Sequence, residues 1–214
     1  MVPAGKSGDW EVVYHHVSDE VAEAEAWDMY MKHGDQGLRR RPRAGDHVAL
    51  RNVAEDICYM STQPFELDDN QRFVELASGR VLVSGLGLGL ILPPLSQKCD
   101  YVVVLEKEKD VISLVAPHID LPNVEVLHAD VLEWEPRDSE HFDWAWHDIW
   151  ATITPKNIKE MYEICKRYEP YVDRQVCWSW DLIVDQLKEK VGVWEEAPLI
   201  LRMLDTICNL CYAV

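Results

Sequence analysis

Four short stretches of this chain carry residue types that could hold a charged nucleoside. Gly85, Gly87 and Gly89 stand at every second position after the run Val81-Leu82-Val83-Ser84. Such a run reads as a buried parallel strand and the glycines as the tight turn that ends it. Backbone there can take positive φ, and a ligand can approach closer than a Cβ would allow. Three more strand-like segments are followed or closed by an acid: Glu106 ends Tyr101–Glu106, Asp130 follows Val124–His128, and Asp148 follows Phe142–His147. Glu106 lies 21 positions beyond Gly85, close to the roughly 20-residue offset of an acid that binds ribose hydroxyls. Taken singly, each acid could as well cap the helix after it. At three successive strand ends they share one mouth, because ligands of open α/β sheets bind beyond the carboxyl ends of strands where strand order reverses. A nucleoside-bearing cofactor suits that placement.

The dinucleotide fingerprint wants a glycine three positions after the second, and Leu90 stands there. A phosphate loop ending in Gly-Lys-Ser/Thr is absent from the sequence. The Gly-x-Gly-x-Gly turn, the strand-end Glu106 and the pair Ala129-Asp130 instead resemble the class I S-adenosylmethionine-dependent methyltransferases. Within that superfamily the pattern is most similar to the spermidine-synthase-like branch. Val83 is aliphatic two positions before the first glycine, where most methyltransferases carry an acid. Phe142-Asp143-Trp144-Ala145-Trp146-His147-Asp148 is similar to that branch's aromatic-Asp-apolar-Asp strand. The resemblance spans about residues 47–150.

It implies a doubly wound, mostly parallel Rossmann-like α/β sheet with helices on both faces, S-adenosylmethionine as cofactor, and methyl transfer to a small-molecule acceptor. By the same likeness Gly85, Leu86, Gly87 and Gly89 would pass the methionine portion, and Glu106, with Lys107 beside it, would take the ribose hydroxyls. Asp130 would accept from the adenine amino group and Val131 would pack on the ring. Asp148 would lie nearest sulfonium and acceptor, as cofactor ligand and catalytic residue. Aminopropyl transfer from decarboxylated S-adenosylmethionine, or a non-catalytic nucleoside-binding module, are the other readings. A carboxylate ringed by Trp146 and Trp150 favours a cation. Methyl transfer needs alignment more than covalent help, and a base only where the acceptor loses a proton. Adjacent strand residues face opposite ways, so His147 reads as a packed histidine rather than a second base.

The elements that must position these groups read as follows. Residues 1–17 show no pattern. A helix runs from Ser18 or Asp19 to about His33, stopped by Gly34, with Val21, Ala24, Trp27 and Met31 on one side. His47–Leu50 and Ile57–Met60 form a hairpin, and Asp68–Ala77 a helix closed by Gly79. Pro93-Pro94 delays the helix after the glycine turn to near Leu92, or kinks it. Helices follow over Lys109–Val115 and Pro155–Arg167, the latter with Ile158, Met161 and Ile164/Cys165 inward. A strand is expected over Gln175–Trp180, a helix over Leu182–Lys190, and an apolar helix or irregular ending over Pro198–Val214. The usual closing strands are not visible in residues 191–214. Residues 1–78 are thus an extension and lid, and 79–214 the cofactor domain. Met60–Phe65 and the run Arg39-Arg40-Arg41-Pro42-Arg43 belong to the lid, the run being a solvated linker or an anion clamp.

Composition bounds the partners. Of 214 residues 48% are apolar, enough for one α/β domain with an extension. A formal charge of −17 argues against duplex nucleic acid. There is neither a long apolar run nor a signal-peptide pattern, so no membrane partner and a cytoplasmic location are expected. Six scattered cysteines read as reduced thiols. Cys208-x-x-Cys211 has no second pair and reads as core, and the histidines lack ligand spacing, so no metal is expected. The apolar C-terminal segment could bury itself on the core or on a second copy, as a homodimer.

Overall fold

The computed structural model describes residues 1–39, 41–137, 139–180 and 183. The chain opens with β1 (Gly5–Ser7) and β2 (Trp10–Val17), a hairpin turning on Gly8 at φ +53°. These strands lie where the sequence showed no pattern. Trp10 and Val12 turn inward, but Tyr14, His15 and His16 are exposed, so the alternation fades halfway along β2. Helix α1 (Asp19–Arg39) starts where expected, with Ser18 Oγ accepting from the Val21 amide at 3.3 Å. It runs on past Gly34 and Gly37. Glycine stops a helix only by turning left-handed, and otherwise costs about 1 kcal/mol. Its sheltered positions are Ala22, Ala26 and Met29, whereas the side that carries Val21, Ala24, Trp27 and Met31 is exposed.

The hairpin of β3 (Gly45–Asn52) and β4 (Ile57–Ser61) is present, but as half of a four-stranded antiparallel sheet in the order β1-β2-β3-β4. Helix α2 (Pro64–Leu76) begins four residues before the expected Asp68. Proline is tolerated in a first turn, and Glu66 reaches back to accept from the Ser61 amide and hydroxyl.

Then strands and helices alternate: β5 (Arg80–Ser84), α3 (Leu92–Lys98), β6 (Tyr101–Glu106), α4 (Lys109–Val115), β7 (Val124–His128), β8 (Phe142–His147), α5 (Ile158–Tyr168) and β9 (Val172–Cys177). The five strands are parallel in the order β7-β6-β5-β8-β9, the doubly wound α/β sheet read from the sequence. Two corrections apply at its end. Residues 155–157 form a 3-10 turn before α5, and β9 lies three residues earlier than Gln175–Trp180. As an edge strand it exposes Asp173 and Arg174, so it lacks the apolar run that marks a central one. The helix expected over 182–190, the ending over 198–214 with its Cys208-x-x-Cys211 pair, and Arg40 of the basic run lie outside the described residues. Among the described residues, no helix is long and apolar enough to cross a membrane.

Each sheet face has its own core. Val81, Val83, Val102, Val104, Trp144 and Trp146 pack with Phe73 of α2, Leu92 and Leu95 of α3, and Val111 and Val115 of α4. Leu82, Val103, Leu105 and Ala145 face α5, whose Ile158, Met161, Ile164, Cys165 and Tyr168 are buried at helical spacing. Trp10, Val12, Val48 and Leu50 join the first core, so the antiparallel sheet docks on the α4 side, tied there by Ser7 Oγ donating to Asp110 at 2.6 Å.

Tyr168 stitches α5 to the loop after β7. Its fully buried hydroxyl donates to the Val131 carbonyl at 2.8 Å, and burial pushes the phenol pKa up, so the proton stays on the donor. Tyr168→Phe should therefore cost about 1–2 kcal/mol by stranding that carbonyl. Urea unfolding measures it; an unchanged midpoint would show that the bond contributes nothing.

Candidate functional site

The parallel register explains why the acids meet. Ser84 pairs with Leu105 on β6 and with His147 on β8, so Gly85 stands level with Glu106 on one side and Asp148 on the other. Glu106 pairs with His128, which places Asp130 two residues beyond the same edge. Order reverses between β5 and β8, and a cavity of about 230 Å³ opens there. Gly85, Gly87, Glu106, Lys107, Asp130, Val131 and Asp148 all line it. Leu86 and Gly89 do not. The Leu86 side chain is core, and Gly89 lies behind the turn, its amide donating to the Leu86 carbonyl.

Glu106 is the most constrained of these groups. Its two oxygens accept from the Leu86 amide at 2.9 Å and the Glu108 amide at 2.8 Å, and its own carbonyl accepts from Ala129. One residue thus ties the glycine turn, the start of α4 and the end of β7. Burial pushes its pKa up, opposed by those amides. Asp130 caps no helix, because residues 131–133 form a turn; its Oδ1 accepts from the Leu132 amide at 2.9 Å, an Asx turn.

All three glycines take positive φ, as expected, and what a side chain would meet differs among them. A Cβ on Gly85, at φ +93°, would fall 2.1 Å from the Asp148 carbonyl oxygen. On Gly87 it would meet the Met60 sulfur at 2.5 Å, while on Gly89 nothing comes nearer than 3.5 Å. At Gly85 the added atom would meet backbone, whereas at Gly87 it would meet the end of a flexible side chain.

Around Asp148 the sequence reading is half right. Trp150 lines the cavity and its indole N–H donates to Glu160. Trp146 points the other way, onto Phe73 with ring centroids 5.0 Å apart. Strand pairing ends at His147, so Asp148 no longer shares a face with Trp146. His147 is the packed histidine expected. Gln175 donates through Nε2 to the Cys165 carbonyl, which turns its Oε1 to the His147 Nε2 at 3.2 Å. That fixes Nε2–H as donor and leaves Nδ1 to accept from the Ser84 hydroxyl at 2.8 Å.

Of the cavity's roof the sequence marked only Met60, within the lid segment. Trp10 of β2, Asn52 of β3, and Tyr59 and Met60 of β4 close it, with Glu55 between the last two strands and Glu160 of α5 at the side. Neighbours on a regular strand face apart. Here Leu50 pairs with Met60 but Arg51 with Cys58, so Tyr59 is an extra residue in a β-bulge, and both it and Met60 turn to the cavity. The Tyr59 hydroxyl donates to Glu55 at 2.7 Å, and burial, then that bond, push its pKa up to about 12. Among the described residues, Glu55, Glu106, Glu108, Asp130, Asp148 and Glu160 face a single basic lining residue, Lys107.

This acceptor set fits a cationic nucleoside. A carboxylate offers about four lone-pair sites, and Glu106 and Asp130 commit only part of theirs to backbone amides. Leu105, Val131 and Trp150 supply apolar wall. The volume lies just under the roughly 300–1,000 Å³ usual for small-molecule sites, and Met60 fills part of the space over the glycine turn.

No protein-family model matches the chain, and no curated protein matches it. Solved structures similar in part to it include the 23S rRNA methyltransferase ErmE, at 24% identity over 51% of this chain and 44% of that one, TM-score 0.42. The N-methyltransferase NodS from Bradyrhizobium japonicum WM9 is similar at 14% identity over 67% of this chain and 83% of that one, TM-score 0.47. A DhpI–SAH complex is similar at 16% identity over 73% and 66%, TM-score 0.42. The chain spans less than half the length of ErmE.

Proposed function

We propose that the chain is an S-adenosylmethionine-dependent methyltransferase whose acceptor is a small cationic or partly apolar molecule. The observation that supports this most is the convergence of Glu106, Asp130 and Asp148 with the glycine turn on one cavity at the reversal of strand order. Bound there, the cofactor would supply a methyl group activated on a sulfonium. Glu106 would hold the ribose hydroxyls, Asp130 the adenine amino group, and Val131 the ring face. Asp148, with Trp150 beside it, would favour the cation and take a proton from an acceptor that must lose one. The antiparallel sheet serves as the lid, and the acidic lining draws a positively charged acceptor. The aliphatic Val83 keeps the spermidine-synthase-like branch as the nearest kin in our reading, and a cytoplasmic setting suits Cys58, Cys99, Cys165 and Cys177, none of which is in a disulfide.

Isothermal titration with S-adenosylmethionine, S-adenosylhomocysteine and decarboxylated S-adenosylmethionine tests the assignment. The first two should bind and the third more weakly; the reverse order would favour aminopropyl transfer. Binding without turnover on any amine would favour a non-catalytic module. Asp130→Ala should weaken S-adenosylhomocysteine about tenfold, the worth of one hydrogen bond to a charged group. If both it and Glu106→Ala leave affinity unchanged, the site lies elsewhere.

A further inference from the structure

Met60 lies directly on the glycine turn. Its thioether sulfur accepts from the Leu88 amide at 3.2 Å, and a Cβ on Gly87 would fall 2.5 Å from that sulfur and 2.8 Å from its methyl carbon. The β-bulge at Tyr59 aims it there, and Met60 itself lines the cavity. A backbone N–H held by a thioether is poorly served, because that sulfur is a weak acceptor. An unbranched side chain with three rotatable bonds is also easy to displace. The contact therefore resembles a placeholder more than a structural bond.

We propose that Met60 is a specificity-determining residue. Its sulfur occupies the donor that a carboxylate-bearing ligand would take, so that such a ligand must displace it and holds a smaller advantage over ligands without a carboxylate than the bare turn would give. This rests on the methyltransferase reading and deepens it. A carboxylate makes a charge-assisted bond to an amide about twice as strong as a neutral acceptor does. It can displace the thioether, swing Met60 off Gly87 and enlarge the cavity at the turn. An adenosyl ligand that lacks the carboxylate has nothing to offer the Leu88 N–H, and must fit beneath Met60. The bare backbone of Gly87 then leaves room for that side chain to rest on the turn when no ligand is bound.

The test compares S-adenosylhomocysteine, which carries the carboxylate, with 5′-methylthioadenosine, which does not, on wild type, Met60→Leu and Met60→Ala. Without the competing sulfur, S-adenosylhomocysteine should bind roughly three- to tenfold tighter, the worth of one hydrogen bond. 5′-Methylthioadenosine should gain much less, so the ratio between the ligands widens in both variants. In the ligand-free protein, hydrogen exchange at the Leu88 amide should quicken in both. Equal gains for the two ligands would mean that Met60 only fills space, and unchanged S-adenosylhomocysteine affinity would mean that it does not compete; either overturns the proposal alone. If wild type binds neither ligand, the methyltransferase reading fails and this proposal with it.

Discussion

Gly85→Ala should destabilise the fold by about 3–5 kcal/mol, far beyond any other single methyl added to the glycine turn. Two independent penalties act together. At φ +93° an L side chain is strained, and its Cβ would stand 2.1 Å from the Asp148 carbonyl oxygen. That oxygen cannot retreat cheaply, because it is backbone at the end of a paired strand, with the Asp148 amide donating to Ser84 and the Gly85 amide to Leu105. Moving it apart opens the ladder between β5 and β8 at the site itself. Gly89→Ala provides the control. Its φ is +70° but its neighbours are side chains at 3.5 Å or more, so only the backbone penalty of about 1 kcal/mol remains. Denaturant midpoints for the two variants give the comparison. Equal losses would show that torsional strain alone matters and that the close approach to Asp148 does not.

That contrast also shows how far the sequence could be read. The acids were legible because their meeting depends only on where apolar runs end, and parallel register keeps those ends level: Ser84 with Leu105, Ser84 with His147, Glu106 with His128. Facing was less legible. A period of two sets Trp146 beside Asp148, but the strand stops between them and Trp146 packs on Phe73. Most of the roof was hidden for a different reason. Its residues come from a sheet whose β2 pairs with β3 across the whole of α1, a long-range pairing with weak local alternation. The bulge that turns both Tyr59 and Met60 inward exists only in the pairing of β3 with β4, and no pattern within β4 announces it.

Glu106 should be the residue whose loss harms binding most, and it should harm folding as well. Glu106→Ala strands the Leu86 and Glu108 amides together and removes the acceptor for ribose. Hydrogen bonds to charged groups contribute about 1.5–3 kcal/mol each, so nucleoside affinity should fall by roughly two orders of magnitude and stability by about 3 kcal/mol. Glu106→Gln should not rescue it: one oxygen can still accept, but the amide NH₂ then faces a backbone N–H, donor against donor. A pH series separates the charge from the shape. Burial raises the pKa of Glu106, so its effect on folding runs opposite to that of an ion-paired carboxylate. Its contribution to stability is greatest below the ordinary carboxylate value, where folded and unfolded forms are both protonated. The contribution is lost as pH rises through the elevated folded value. Ligand binding uses the ionised form and so should strengthen over the same rise. In Glu106→Gln the position no longer titrates, and this part of the dependence should vanish from both measurements. Titration calorimetry and urea midpoints across the acidic range read the two slopes. If wild type and Glu106→Gln show the same pH dependence, Glu106 does not bind as a carboxylate, and the ribose assignment fails even where the alanine variant loses affinity.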